Sequence, residues 1–162
     1  MQQENSNGRQ GVDNLLTAEN IQDIEPGYYW YDDDTFSKDC IADKSVKAIV
    51  VLVQTGTIYG DIFYEGNCEA DSGSSELYKL SASRQEKLCL LSLYQHQSML
   101  ASIEKINEAL ETTHQPLWNG RYLTNSDYAC RQKWICCYPQ GIQMASGFNP
   151  LKFRPVLYYH CE

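Results

Sequence analysis

Val46-Lys47-Ala48-Ile49-Val50-Val51-Leu52-Val53-Gln54 is a β-branched run that Thr55-Gly56-Thr57 breaks and that resumes from Ile58 to Tyr64. β-Branched side chains are stiff at χ1 and suit a pleated surface, and a short glycine-containing break between two such runs reverses the chain. The stretch predicts a β-hairpin. Upstream, Tyr28-Tyr29-Trp30-Tyr31 and Thr35-Phe36 flank the turn-forming cluster Asp32-Asp33-Asp34, which predicts a shorter hairpin beginning near Pro26-Gly27. Downstream, Asn67 to Ser75 reads as a Gly/Ser-rich loop, after which the period changes. Ser83 and Glu86 have capping-box spacing, predicting a helix that starts there and carries Leu88, Leu91 and Tyr94 on one face. Leu100, Ile103, Ile106 and Leu110 predict a second helix, with a break near Gln95 to Ser98. From Trp118 strand character returns in Tyr122 to Thr124, Gln132 to Tyr138, a Pro139-Gln140-Gly141 turn, Ile142 to Ala145, and Phe153 to Tyr159. Strands, then two mid-chain helices, then strands predict an α+β fold with antiparallel β-sheet hairpins.

A chain of 162 residues fills one hydrophobic core and would starve a second. Residues 25–162 therefore read as a single domain, and residues 1–24, polar and poor in aromatics, as a flexible tail. The hydrophobic share of 43% and the charged share of 21% are ordinary for a globular domain, whereas 12% aromatic residues, 12 of them Tyr, suit strands and binding surfaces. A formal charge of −8 repels phosphate backbones and anionic headgroups, which argues against nucleic acid as a partner. The longest apolar run, Ala48 to Val53, is far short of the ~20 residues a spanning helix needs, so no membrane insertion is expected. Met1 to Gly11 lacks the basic and apolar regions of a secretory signal, which points to the cytoplasm or to a virion or cell surface reached by another route.

Seven cysteines, Cys40, Cys68, Cys89, Cys130, Cys136, Cys137 and Cys161, are an odd number without a C-x-x-C pair, and they read as reduced, mostly buried thiols. Asp32, Asp33, Asp34, Asp39 and Asp43 offer hard oxygen ligands, but without the D-x-D-x-D-G loop they read as an acidic turn, so no metal and no cofactor is assigned. His160 and Cys161 are neighbours whose side chains point to opposite faces of a strand, which removes them as a catalytic dyad, and His96 and His114 read as solvated. Arg154, in a terminal strand, would need a carboxylate or several carbonyls if buried, and it reads as structural.

Tyr122-Leu123-Thr124-Asn125-Ser126-Asp127-Tyr128, then Lys133-Trp134-Ile135, Gly141, and Phe153-Arg154-Pro155-Val156 form an ordered series. It is similar to the Y-W-S-S-T-E-Y, A-W, G, V-R-P-V pattern of the C-terminal domain family of Legionella collagen-like proteins and its bacterial and phage relatives. The resemblance extends upstream to Ile103 to Leu110 and to Tyr28 to Ser37, and loosely covers residues 26 to 159. Leu123 stands where the family has Trp, and Tyr78-Lys79-Leu80-Ser81 replaces W-R-L-P, as in a divergent member. The resemblance implies a C-type-lectin-like fold and a ligand-binding role, with no family-wide catalytic residues. In the family pattern the Trp-containing set of this strand points inward. That implies Trp134, Cys136 and Tyr138 in the core, with Lys133, Ile135 and Cys137 on the other face, either ligand-facing or covered by a loop or the N-terminal tail.

These readings converge on a non-enzymatic ligand-binding or adhesion module for a glycan or protein receptor, without calcium. The candidate ligand-binding residues are Asp127, Tyr128, Arg131, Lys133, Phe148 and Asn149, which lie in turn-rich segments or on the outer strand face. The alternative is a self-associating homo-oligomeric assembly subunit of a tail-fibre-like appendage, and an enzyme on the same superfold comes third. Free thiols give the first check. Alkylating the denatured, unreduced protein should show by mass that most of the seven cysteines take up an alkyl group, whereas three disulfides would place the chain in an oxidising compartment.

Overall fold

The computed structural model describes residues 15–129, 132–146 and 151–161. The architecture is α+β, with two sheets and helices packed on them. The first sheet has the order β2-β1-β3-β4-β11-β6, from β1 (Tyr29–Tyr31), β2 (Phe36–Ser37), β3 (Val46–Gln54), β4 (Thr57–Asp61), β6 (Leu88–Cys89) and β11 (Val156–His160). The second has the order β5-β10-β7-β8-β9, from β5 (Gly66–Cys68), β7 (Gly120–Ala129), β8 (Gln132–Tyr138), β9 (Gly141–Ser146) and β10 (Leu151–Phe153). All pairings are antiparallel except β10 with β7, so the second sheet is mixed rather than purely antiparallel as expected.

Both expected hairpins form. At the β3–β4 corner Thr55 and Gly56 take φ of 44° and 75°, the two-residue geometry whose twist matches that of paired strands. In the β1–β2 turn Asp33 accepts from the Thr35 hydroxyl at 2.6 Å and from Lys44 at 2.7 Å. Those bonds, the Lys44 one foremost, hold its carboxyl down to about 2. Asp34, with φ of 63°, accepts from Trp30 Nε1 at 3.0 Å and pairs with Lys47 at 2.7 Å. The acidic cluster is thus occupied in shaping the turn.

The first half of the helical region departs from expectation. A helix, α1 (Gly73–Arg84), begins inside the expected loop and ends where a helix was expected to start. Gln85 closes it in the left-handed conformation, and the Gln85 and Glu86 amides turn back to Ser81 O. The Ser83/Glu86 signature fails because the chain must leave the helix to pair Leu88 with Leu157 and Cys89 with Val156. The capping box forms later, where Ser92 and Gln95 exchange side-chain bonds to each other's backbone N–H at 3.2 and 2.9 Å and start α2 (Leu93–Leu100). That helix runs through the expected break at Gln95 to Ser98. The following helix, α3 (Ile103–Thr112), buries Ile106, Ala109 and Leu110, as its period predicts.

The N-terminal boundary is also corrected. Within the expected 1–24 tail, Leu16 pairs with Phe36 through two 2.8 Å backbone bonds, Thr17 caps a 3-10 helix (Ala18–Asp23), and Ile24 is buried beside Trp30 and Phe36. Apolar positions at 16, 21 and 24 dock this stretch on the first sheet. Residues 1–14 lie outside the described residues.

Phe153 to Tyr159 is not one strand either. At Arg154-Pro155 the chain crosses from β10 in the second sheet to β11 in the first, and an earlier crossing, from β4 to β5, spans Asp61 to Gly66. Arg154 ties the two crossings. It forks onto Asp61 at 2.8 and 2.9 Å, reaches Glu65 at 3.0 Å, and donates to the Leu117 and Pro116 carbonyls at 3.1 and 2.6 Å. Both side chains of the Arg154–Asp61 pair are fully buried. Burial works against the guanidinium charge, and the Asp61 carboxylate overcomes it, holding Arg154 above its ordinary value. This is the carboxylate-and-carbonyl set that a buried arginine requires. Removing one partner strands the other as a buried charge. Arg154→Met should cost about 3–5 kcal/mol of stability in denaturant unfolding, and Asp61→Asn with Arg154→Met together should cost less than the sum.

Candidate functional site

The hairpin of β7 and β8 is regular from Gly120 opposite Tyr138 to Leu123 opposite Ile135, and then slips before Asp127 meets Lys133. Thr124 makes the slip. Its buried hydroxyl donates to Trp134 O at 2.7 Å and accepts from Ser126 N at 3.1 Å, which replaces ladder bonds with a side chain and bends the strand. The bulged segment also clamps α2, since Asn125 N donates to Leu91 O at 3.0 Å and Ser126 Oγ accepts from Leu93 N at 2.9 Å.

Three of the expected ligand-binding residues lie beyond the bulge, two of them paired with each other and the third against Trp134. Lys133 donates to Asp127 at 2.6 Å. Tyr128, half exposed, stands edge-on to the Trp134 ring with centroids 4.9 Å apart. Tyr94, 77% exposed, sits in the first turn of α2 directly after the clamped Leu93. Tyr94 went unrecognised in the sequence because it was expected on an apolar helix face with Leu88 and Leu91. Arg131, Phe148 and Asn149 lie outside the described residues.

The two faces of β8 also differ from expectation. Cys136 and Tyr138 are fully buried in the main core, but Trp134 is only half-buried, because it lies past the point where the helices cover the strand. Ile135 is buried too, and Cys137 half-buried, so neither is ligand-facing. Among the described residues their cover comes from helix α1. Ile135 packs with Leu123, Leu151 and Phe153, and Leu77 and Leu80 of α1 close over them.

His96 is buried rather than solvated, with Nδ1 2.6 Å from the Tyr138 hydroxyl and its ring edge against Trp118. It braces the core. His160 Nδ1 lies 2.8 Å from Thr57 Oγ1, and His114 is exposed. The six cysteines among the described residues are free, and burial pushes the Cys68, Cys89 and Cys136 thiols up to about 11. Such groups are protonated at neutral pH and are poor nucleophiles.

Compared with protein-family models, curated proteins and solved structures, the chain shows no match to any of them.

Desolvation drives the His96 imidazole from 6.5 down to about 3. The unfolded chain therefore takes up a proton below 6.5 that the folded chain refuses until about 3, so stability is full above 6.5 and falls as pH drops through this window. The slope from this one group is at most ~1.4 kcal/mol per pH unit. Urea unfolding from pH 7 to 4 should show that slope in the wild type relative to His96→Gln, with the two curves converging in steepness above 6.5.

Proposed function

We propose that this protein is a non-enzymatic ligand-binding or adhesion module of C-type-lectin-like type, and that it recognises a glycan or protein receptor with the outer end of the β7–β8 hairpin. The observation that carries the reading is the half-exposed Tyr128 ring standing edge-on to Trp134, with the Lys133–Asp127 pair one residue away along each strand. Aromatic faces supply stacking area at low entropic cost, and a fixed ammonium–carboxylate pair supplies oriented donors and acceptors. The Thr124 bulge and the Ser126–Leu93 bond hold this end on a rigid scaffold, and preorganisation of that kind favours affinity. The reading is calcium-independent, since the Asp33 and Asp34 carboxylates are engaged by Lys44 and Lys47.

A glycan and receptor array on the intact chain, run in EDTA, tests the proposal. Tyr128→Ala and Lys133→Ala should each weaken binding about tenfold or more while leaving stability within about 1 kcal/mol. Tyr138→Ala should instead lose about 3–5 kcal/mol of stability through a core cavity. Wild-type binding by both surface variants would sink the assignment.

A further inference from the structure

We propose that a second ligand site lies in the cleft between α3 and the loops that flank the β1–β2 hairpin, and that it takes a small amphoteric molecule of the amino-acid or short-peptide class, bearing one ammonium and one carboxylate. The cleft has a volume of about 430 Å³, within the usual range for small-molecule pockets. None of the hairpin-end residues lines it, so this site is independent of the function proposed above. Its floor is apolar and aromatic, formed by buried Tyr29 and Ala109 with half-buried Tyr28.

The walls are preformed. Beneath the Lys38–Cys40 wall, the buried Tyr31 hydroxyl accepts from Ile41 N at 3.0 Å and lies 2.6 Å from Ser37 Oγ, which donates to Asp39 O at 2.6 Å. In the facing loop Gly27 N donates to Val50 O at 2.7 Å. Gly27 has φ of +96°, and a Cβ there would stand 3.1 Å from Lys105 Cβ, so glycine is what lets the loop close against the helix.

Charge selects the ligand class. Three carboxylates (Glu25, Asp39, Glu108) and two ammonium groups (Lys38, Lys105) line the cleft. Among the described residues none of the five is in a salt bridge. A phosphorylated ligand would face more carboxylates than amines, a polyamine would face two like charges, and a neutral sugar would gain no ion pair from either set. A molecule of both signs pairs with both sets and lays its side chain on the tyrosines. The ammonium belongs beside the carboxylates of the lining, Glu25, Asp39 and Glu108. Burial first, and then the carboxylates of Glu25, Asp23 and Asp39, hold the Tyr28 phenol above its ordinary value.

Cys40 lines the cleft and is the exposed cysteine among the described residues, so its labelling by iodoacetamide reports occupancy. On the intact chain, peptide mass spectrometry would follow Cys40 labelling with free tyrosine, Gly-Tyr, N-acetylated and C-amidated Gly-Tyr, and lactose. Free tyrosine or Gly-Tyr at millimolar concentration should slow Cys40 labelling several-fold and leave Cys161 unchanged, while the blocked dipeptide and lactose should not protect. Lys105→Ala and Glu108→Gln, at exposed positions of α3, should keep the wild-type melting temperature and weaken protection about fivefold or more. Tyr128→Ala should leave protection intact. Equal protection by the blocked dipeptide or by lactose, or none by tyrosine and Gly-Tyr, would overturn the proposal.

Discussion

The Arg154–Asp61 fork is the interaction on which the rest of the molecule depends, because it ties together two of the places where the chain changes sheets. A fully buried guanidinium is tolerable only when most of its donors are met. Here two carboxylates and two carbonyls meet them, the carboxylates from the Asp61 to Gly66 crossing and the carbonyls from the adjacent Pro116 and Leu117. Fixing Pro116 and Leu117 in turn places Trp118, whose ring lies 4.5 Å from the guanidinium carbon. Trp118 then touches Tyr122, Tyr138 and His96 at centroid distances of 4.6, 5.2 and 6.0 Å. An aromatic cluster therefore grows outward from one ion pair, and it aligns the inner face of β7 and β8.

That alignment also decides where a ligand can reach. One face of β8 is closed by α2, α3 and the first sheet, and the other by α1. Among the described residues, Asp127, Tyr128 and Lys133 beyond the Thr124 bulge escape this cover, while the strand segments behind them serve as core. The amphoteric cleft lies on different elements and is framed by Tyr31 and Gly27 rather than by the aromatic cluster. A rigid body with recognition at its margins suits a binding module, in which exposed residues can vary without loss of the fold.

The sequence by itself determined the elements whose signals are local. Thr55-Gly56 between β-branched runs made the β3–β4 hairpin, Asp32 to Asp34 made the β1–β2 turn, and the period of Ile103 to Leu110 made α3. It also determined that Arg154, if buried, would need a carboxylate or several carbonyls, since that follows from the chemistry of one side chain. At the candidate site, the placement of Lys133 on a strand was legible from the Gln132 to Tyr138 pattern. Tertiary structure decided what depends on partners distant in the chain. The Ser83/Glu86 capping signature yielded to the pairing of Leu88 with Leu157. His96 sits in a polar-looking segment yet is buried, because Trp118 and Tyr138 arrive from elsewhere to enclose it. The outer face of β8 is closed by Leu77 and Leu80 of a helix whose first residues read as a loop. Caps, turns and periods act within a few residues, where sequence neighbours are also neighbours in space. Burial is set by which surfaces meet, and no local rule carries that information.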